Sequence, residues 1–194
     1  MKAIRLIALA ACMAATLDAS AQEQEIRLFS HRGGRMEHDE NTLSAFQASY
    51  DAGYRGFETD IRMTRDGALV ITHDSSLERT TDGTGTVEEK TEAEIRQLAT
   101  KQGNKMMFLD ELLEFLEGKE GLYVEFEMKT KPEALYPEER LHAYCDKLYD
   151  AVMAVKPADA TFVFTSGDYR GLRYLQAKHP GVDLLLITSK PCND

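Results

Sequence analysis

The chain has 194 residues, 43% hydrophobic and 29% charged, which suits one globular domain and excludes a low-complexity or disordered chain. With 33 acidic residues against 23 Lys and Arg, the formal net charge is -10, and the basic footprint needed for bulk nucleic-acid binding is lacking. An acidic balance still permits a phosphate ligand, because a bound cation inverts the local sign.

In chain order, the first predicted element is a leader. MKAIRLIALAACMAATLDASAQ places Lys2 and Arg5 before an apolar stretch and Ala19-Ser20-Ala21. That is the layout of a secretory signal peptide over residues 1–21, so the chain is expected to be exported, periplasmic or secreted. Leu9-Ala10-Ala11-Cys12 also resembles a bacterial lipobox, and anchoring at Cys12 ranks second. The apolar stretch is too short to span a bilayer, and no transmembrane helix is expected in the mature chain. Without Cys12, Cys145 and Cys192 remain; they read as unpaired or buried thiols rather than a disulfide framework.

From Ile26 strands and helices alternate. IRLFS (26–30) is a short strand ending at HRGG, and Asn41 reads as the N-cap of a helix, NTLSAFQASYDAG, that stops at Gly53. GFETDIRM (56–63) and ALVITHD (68–74) are strands flanking an Asp-Gly turn. Residues 75–105 are polar and rich in Gly and Thr, with a helical tail at 92–98 capped by Thr91. Then come a helix at 107–118, a strand at 122–130 (LYVEFEMKT) and a long amphipathic helix at 139–155. Strand 160–166, helix 169–179 and strand 182–189 complete the series. Such alternation predicts an α/β fold with right-handed parallel connections, either a barrel or a doubly wound sheet. Six strands are expected, where a (β/α)₈ barrel needs eight.

Polar residues gather where strands end: His31-Arg32 close the first, Glu58 and Asp60 lie in the second, and His73-Asp74 close the third. Glu125, Glu127 and Lys129 lie in the fourth. Period two puts Glu58 and Asp60 on one face, and likewise Glu125, Glu127 and Lys129. Acids inside a buried strand are costly unless paired or bound to a cation, and oxygen ligands alone suit Ca²⁺ or Mg²⁺ rather than zinc. The two histidines suit proton transfer near neutral pH. Taken singly, each of these groups reads more often as a salt-bridged or solvent-facing acid or a structural histidine; their convergence on successive strand ends favours a site. His38 reads as a loop residue, and His142 and His179 as surface residues.

The stretches HRGG (31–34), ENTLSAF (40–46), FETDIRMTRDGALVITHD (57–74), SLERTTDGTGTV (76–87), LDELLEFL (109–116) and EFEMK (125–129) resemble the glycerophosphodiester phosphodiesterase family. The resemblance implies a TIM-barrel-like fold over residues 22–194, truncated after about six strands, with an inserted subdomain at about 75–105. It implies Glu58, Asp60 and Glu127 as ligands of one Ca²⁺ or Mg²⁺, His31 and His73 as the acid/base pair (the former leaning to acid, the latter to base), and Arg32 and Lys129 as phosphate-binding cations. It places Glu125 beside the site without making it a ligand. The implied reaction is hydrolysis of a small-molecule glycerophosphodiester to sn-glycerol 3-phosphate and an alcohol. The alternatives are a related phospholipase D acting on lysophospholipid or sphingomyelin, and an inactive phosphate-binding relative. Asp39 stands where the family pattern has proline, for which a local loop effect is expected.

Overall fold

In a computed structural model, residues 28–189 are described. The leader expected at 1–21, Cys12 and Cys192 lie outside the described residues.

The fold is TIM-barrel-like. Five strands run parallel in the order β1 (Phe29–His31), β2 (Gly56–Met63), β4 (Tyr123–Met128), β5 (Thr161–Ser166) and β6 (Leu184–Leu186). Helices α1 (Leu43–Asp51), α3 (Leu109–Leu116), α4 (Glu138–Val155) and α5 (Tyr169–Lys178) form the outer layer, and the short α2 (Glu92–Ile95) lies in the polar 75–105 segment. Among the described residues the sheet is open: β1 and β6 each pair with one strand and not with each other.

One strand departs from the expected parallel pattern. β3 (Leu69–Ile71) is antiparallel to β2, with Met63 opposite Leu69 and Ile61 opposite Ile71. The link is a tight turn in which the Gly67 amide donates to the Thr64 carbonyl, far too short for the dozen or more residues a parallel crossover needs. β1 and β3 therefore share one side of β2, β1 along its start and β3 along its end, while β4 flanks the other side. The reversal brings residue 73 back towards the middle of β2, where the Thr72 amide donates to the Asp60 carbonyl.

The alternation of β2 separates two environments. Phe57, Ile61 and Met63 join Val124, Phe126, Met128, Phe162 and Phe164 in the main core, packed by Phe46, Phe115, Leu141, Tyr144, Leu148 and Leu172 of the helices. Phe46, Phe57 and Phe115 meet with ring centroids 5.7–6.3 Å apart, so α1, β2 and α3 are joined by one aromatic cluster. The other face of β2 carries Glu58, Asp60 and Arg62, and it too is buried along its whole length. The 75–105 segment packs on a small core of its own, Val70, Leu77, Val87, Ile95, Met106 and Phe108. Its α2 starts at Thr91, whose hydroxyl accepts from the Glu94 amide while Glu94 accepts from the Thr91 amide. Cys145 is a buried thiol pushed up to about 12 by desolvation, an inert core residue.

Candidate active site

Strand register assembles the carboxylates. Asp60 stands directly beside Glu127, and Glu58 lies between His31 and Glu125 in the neighbouring row. Glu58, Asp60 and Glu127 each offer an oxygen within 4.8 Å of the others. Glu58 Oε1 is buried and accepts no hydrogen bond among the described residues. Buried acceptors without donors are costly, and three converging carboxylates suit a hard divalent cation. Burial first, then the neighbouring charges of Asp60 and Glu127, pushes Glu58 up to about 8. The donor set fits the divalent cation that the sequence implies.

That shift has a measurable consequence. Glu58 holds its proton more tightly folded than unfolded, so in the cation-free protein it lowers stability progressively as pH rises from its ordinary value of 4.5 towards 8. A cation must displace that proton, so its affinity falls by up to about tenfold per pH unit below that point. Saturating Ca²⁺ or Mg²⁺ is therefore expected to raise Tm more at pH 8 than at pH 6. Equal shifts at both pH values, or none at either, would remove the carboxylate triad as the cation site.

The two cations proposed from sequence both reach Asp60. Lys129 Nζ lies 2.6 Å from Glu127 Oε1 and 3.2 Å from Asp60 Oδ1, and Arg32 Nε lies 3.3 Å from Asp60 Oδ2. Among the described residues, Arg32 and Asn41 are the non-glycine residues with positive φ, 54° and 58°. Such conformations cost of order 1–3 kcal/mol and persist where surroundings enforce them. Here both side chains converge on Asp60, Asn41 donating to Oδ2 at 2.9 Å. This corrects the expected helix start: Thr42, not Asn41, is the N-cap of α1, its hydroxyl accepting from the Ala45 amide at 3.3 Å. Asn41 resembles a cap in sequence, but its amide orients a candidate ligand.

Both histidines follow strands on the same side of β2, and each ring feels the other's charge. His31 Nε2 is 3.5 Å from Glu58 Oε2, and burial, with Arg32 and Arg35 nearby, holds its pKa below the ordinary 6.5. His73 Nδ1 is 2.6 Å from Asp74 Oδ1. Burial alone would raise the Asp74 carboxyl, but hydrogen bonds from Arg79 and His73 outweigh it and hold it at about 2. Asp74 thus stays ionised and fixes the ring, leaving Nε2 for chemistry.

Several contributors carry no signal in sequence spacing. Arg79, from the 75–105 segment, donates to Asp74 and grips both Glu40 oxygens at 2.7 and 3.0 Å. Glu40 also accepts from Arg32 Nη1 at 3.2 Å. One chain of charges therefore runs His73–Asp74–Arg79–Glu40–Arg32–Asp60. Asp39 accepts from Thr100 and, at 2.9 Å, from Asn104, tying the far end of the segment to the loop that carries Glu40 and Asn41. The departure from the family's proline thus has more than a local effect. Glu125 accepts from the Tyr123 hydroxyl at 3.1 Å and stays outside the triad. His142 stacks on Tyr174 and His179 on Tyr149, both remote from the carboxylates in sequence and bound to helix surfaces.

Comparison with known proteins finds relatives in sequence and in fold. A model of the glycerophosphoryl diester phosphodiesterase family matches residues 31–193. A glycerophosphodiester phosphodiesterase of Caldanaerobacter subterraneus subsp. tengcongensis is 36% identical over 123 residues, 59% of this chain and 50% of that protein. The chain thus spans half the length of that relative. Among solved structures, an Oleispira antarctica phosphodiesterase in complex with the product sn-glycerol-3-phosphate superposes with a TM-score of 0.75 at 26% identity, covering 86% of this chain and 68% of that one. A glycerophosphodiester phosphodiesterase from Agrobacterium tumefaciens gives 0.67 at 27% identity, covering 82% and 66%.

Proposed function

The chain belongs to the glycerophosphoryl diester phosphodiesterase family, and from that premise we propose that it hydrolyses glycerophosphodiesters to sn-glycerol 3-phosphate and an alcohol. The observation that carries the reading is the convergence of three carboxylates, two histidines and two cationic side chains on one face of the sheet.

In this reading Glu58, Asp60 and Glu127 hold one Ca²⁺ or Mg²⁺. When bound, that ion supplies Lewis-acid charge to a phosphoryl oxygen. A divalent cation offsets the mutual repulsion of the three carboxylates beside an anionic phosphoryl group. Arg32 and Lys129 offset the charge that develops on the phosphoryl oxygens. His73, with Nδ1 engaged by Asp74, takes the proton of the nucleophile, either water or the glycerol 2-hydroxyl. A new P–O bond forms, the bond to the alcohol breaks, and His31 delivers a proton to the departing oxygen; with water as nucleophile this gives sn-glycerol 3-phosphate directly, and with the 2-hydroxyl it gives a cyclic phosphate that a water molecule then opens to the same product.

The test is release of sn-glycerol 3-phosphate from glycerophosphoethanolamine with Ca²⁺ or Mg²⁺ present, run beside lysophosphatidylcholine. Cation-dependent release from the first is the expected result. Turnover of the lysolipid alone would point to the phospholipase D reading instead. The leader reading adds that the reaction takes place outside the cytoplasm, and N-terminal sequencing of exported protein, expected to begin near Gln22, checks it.

A further inference from the structure

Beside the carboxylates, at the C-terminal ends of β4 and β5, lies a small open pocket of about 190 Å³ lined by Arg62, Glu127, Lys129, Lys131, Gly167 and Asp168, among others. It shares Glu127 and Lys129 with the site, so any group seated in it is a direct neighbour of the reacting phosphate in the proposed reaction. A water's share of liquid volume is about 30 Å³, so the pocket has room for a group of several heavy atoms.

Gly167 borders it. Its backbone lies outside the left-handed region, so no conformational demand excludes a side chain. A Cβ built there meets nothing nearer than the Ile187 carbonyl oxygen at 3.8 Å, so no packing demand excludes one either.

The lining sets the chemistry. Arg62 is paired with Glu88, Lys129 with Glu127, and Asp168 with Arg170. Lys131, exposed at the rim, has no ion-pair partner among the described residues. Paired charges and an ammonium offer both donors and acceptors to hydroxyl groups, while the ammonium repels a second cation. We propose that this pocket receives the head of the departing alcohol and favours a hydroxyl-rich, uncharged head over a quaternary ammonium. The proposal rests on the phosphodiesterase reading for the position of the substrate.

The test compares glycerophosphoglycerol with glycerophosphocholine, by kcat/KM on the unmodified chain and by Kd on His73→Ala protein, both with Ca²⁺ present. The expected result is a preference of about tenfold or more for the glycerol head, the scale on which one pocket contact discriminates. Lys131→Glu, a surface change, is expected to lower that ratio about tenfold by favouring choline. Equal handling of the two diesters by the unmodified chain, or a ratio unmoved by Lys131→Glu, would overturn the proposal. A binding preference that Lys131→Glu reverses, without hydrolysis of either diester, would sustain the subsite and sink the reaction. Failure to bind either diester would overturn both.

Discussion

His73→Ala is expected to lower kcat by about 10²–10⁴-fold, the usual contribution of a positioned general acid or base. Divalent-cation affinity should be nearly unchanged, because His73 is not among the converging carboxylates. The geometry explains why the ring should be so sensitive. β3 returns antiparallel along β2 and delivers His73 to the level of Asp60. Asp74 then holds Nδ1 at 2.6 Å, and Arg79 holds Asp74. Asp74→Asn should therefore also lower turnover, but by less than loss of the ring itself, because the imidazole remains with a poorer orienting partner. Asp60→Asn separates the two halves of the site, since it should weaken cation binding and turnover together. Isothermal titration with Ca²⁺ and steady-state assay of each variant check these outcomes. Turnover of His73→Ala near that of the unmodified chain would remove His73 from the chemistry.

Much of this site was legible because strands have period two. Glu58 and Asp60 two apart, and Glu127 and Lys129 two apart, must share faces, and acids in an otherwise apolar strand ask for a partner. The parallel fold class followed from strand–helix alternation, yet the direction of β3 did not. Its Asp-Gly turn was visible as a hairpin signal, and the hairpin is what makes His73 converge on β2 rather than head a separate barrel strand. Asn41 was misread because a local capping pattern and a long-range contact use the same side chain. Only the fold shows that its amide faces Asp60, 19 residues away. Arg79 and Glu40 are 39 residues apart, and Arg62 and Glu88 are 26 apart. Contacts of that separation, crossing from the barrel to the 75–105 segment, leave no periodic trace in a single sequence.

Arg62 and Glu88 carry the second large effect, and here stability and function separate. Both side chains are almost wholly withdrawn from solvent, 8% and 2% accessible, with Arg62 Nη1 donating to Glu88 Oε1 at 2.8 Å. Glu88 also accepts from Ser75 at 2.6 Å and Tyr136 at 3.1 Å. Burial and the Glu88 charge raise the Tyr136 phenol well above its ordinary range, so it remains a donor. Glu88→Ala strands an unpaired guanidinium and should cost about 3–5 kcal/mol of stability in urea unfolding. Arg62→Met should cost a similar amount by stranding the carboxylate. The double variant Arg62→Met/Glu88→Leu removes both charges and should recover much of the loss, because an apolar pair can replace a buried ion pair at little cost. Activity should not recover with it. Arg62 Nε donates to the His73 carbonyl at 3.0 Å and Nη1 to the Lys129 carbonyl at 3.3 Å, fixing the backbone of a candidate base and a candidate phosphate ligand from one side chain. A methionine packs in that space without holding either carbonyl. The expected double variant is therefore stable and slow, with kcat still lowered by tenfold or more at temperatures far below its Tm, on the order of what loss of an orienting contact costs a site. Full recovery of turnover along with stability would show that the pair supports the fold alone.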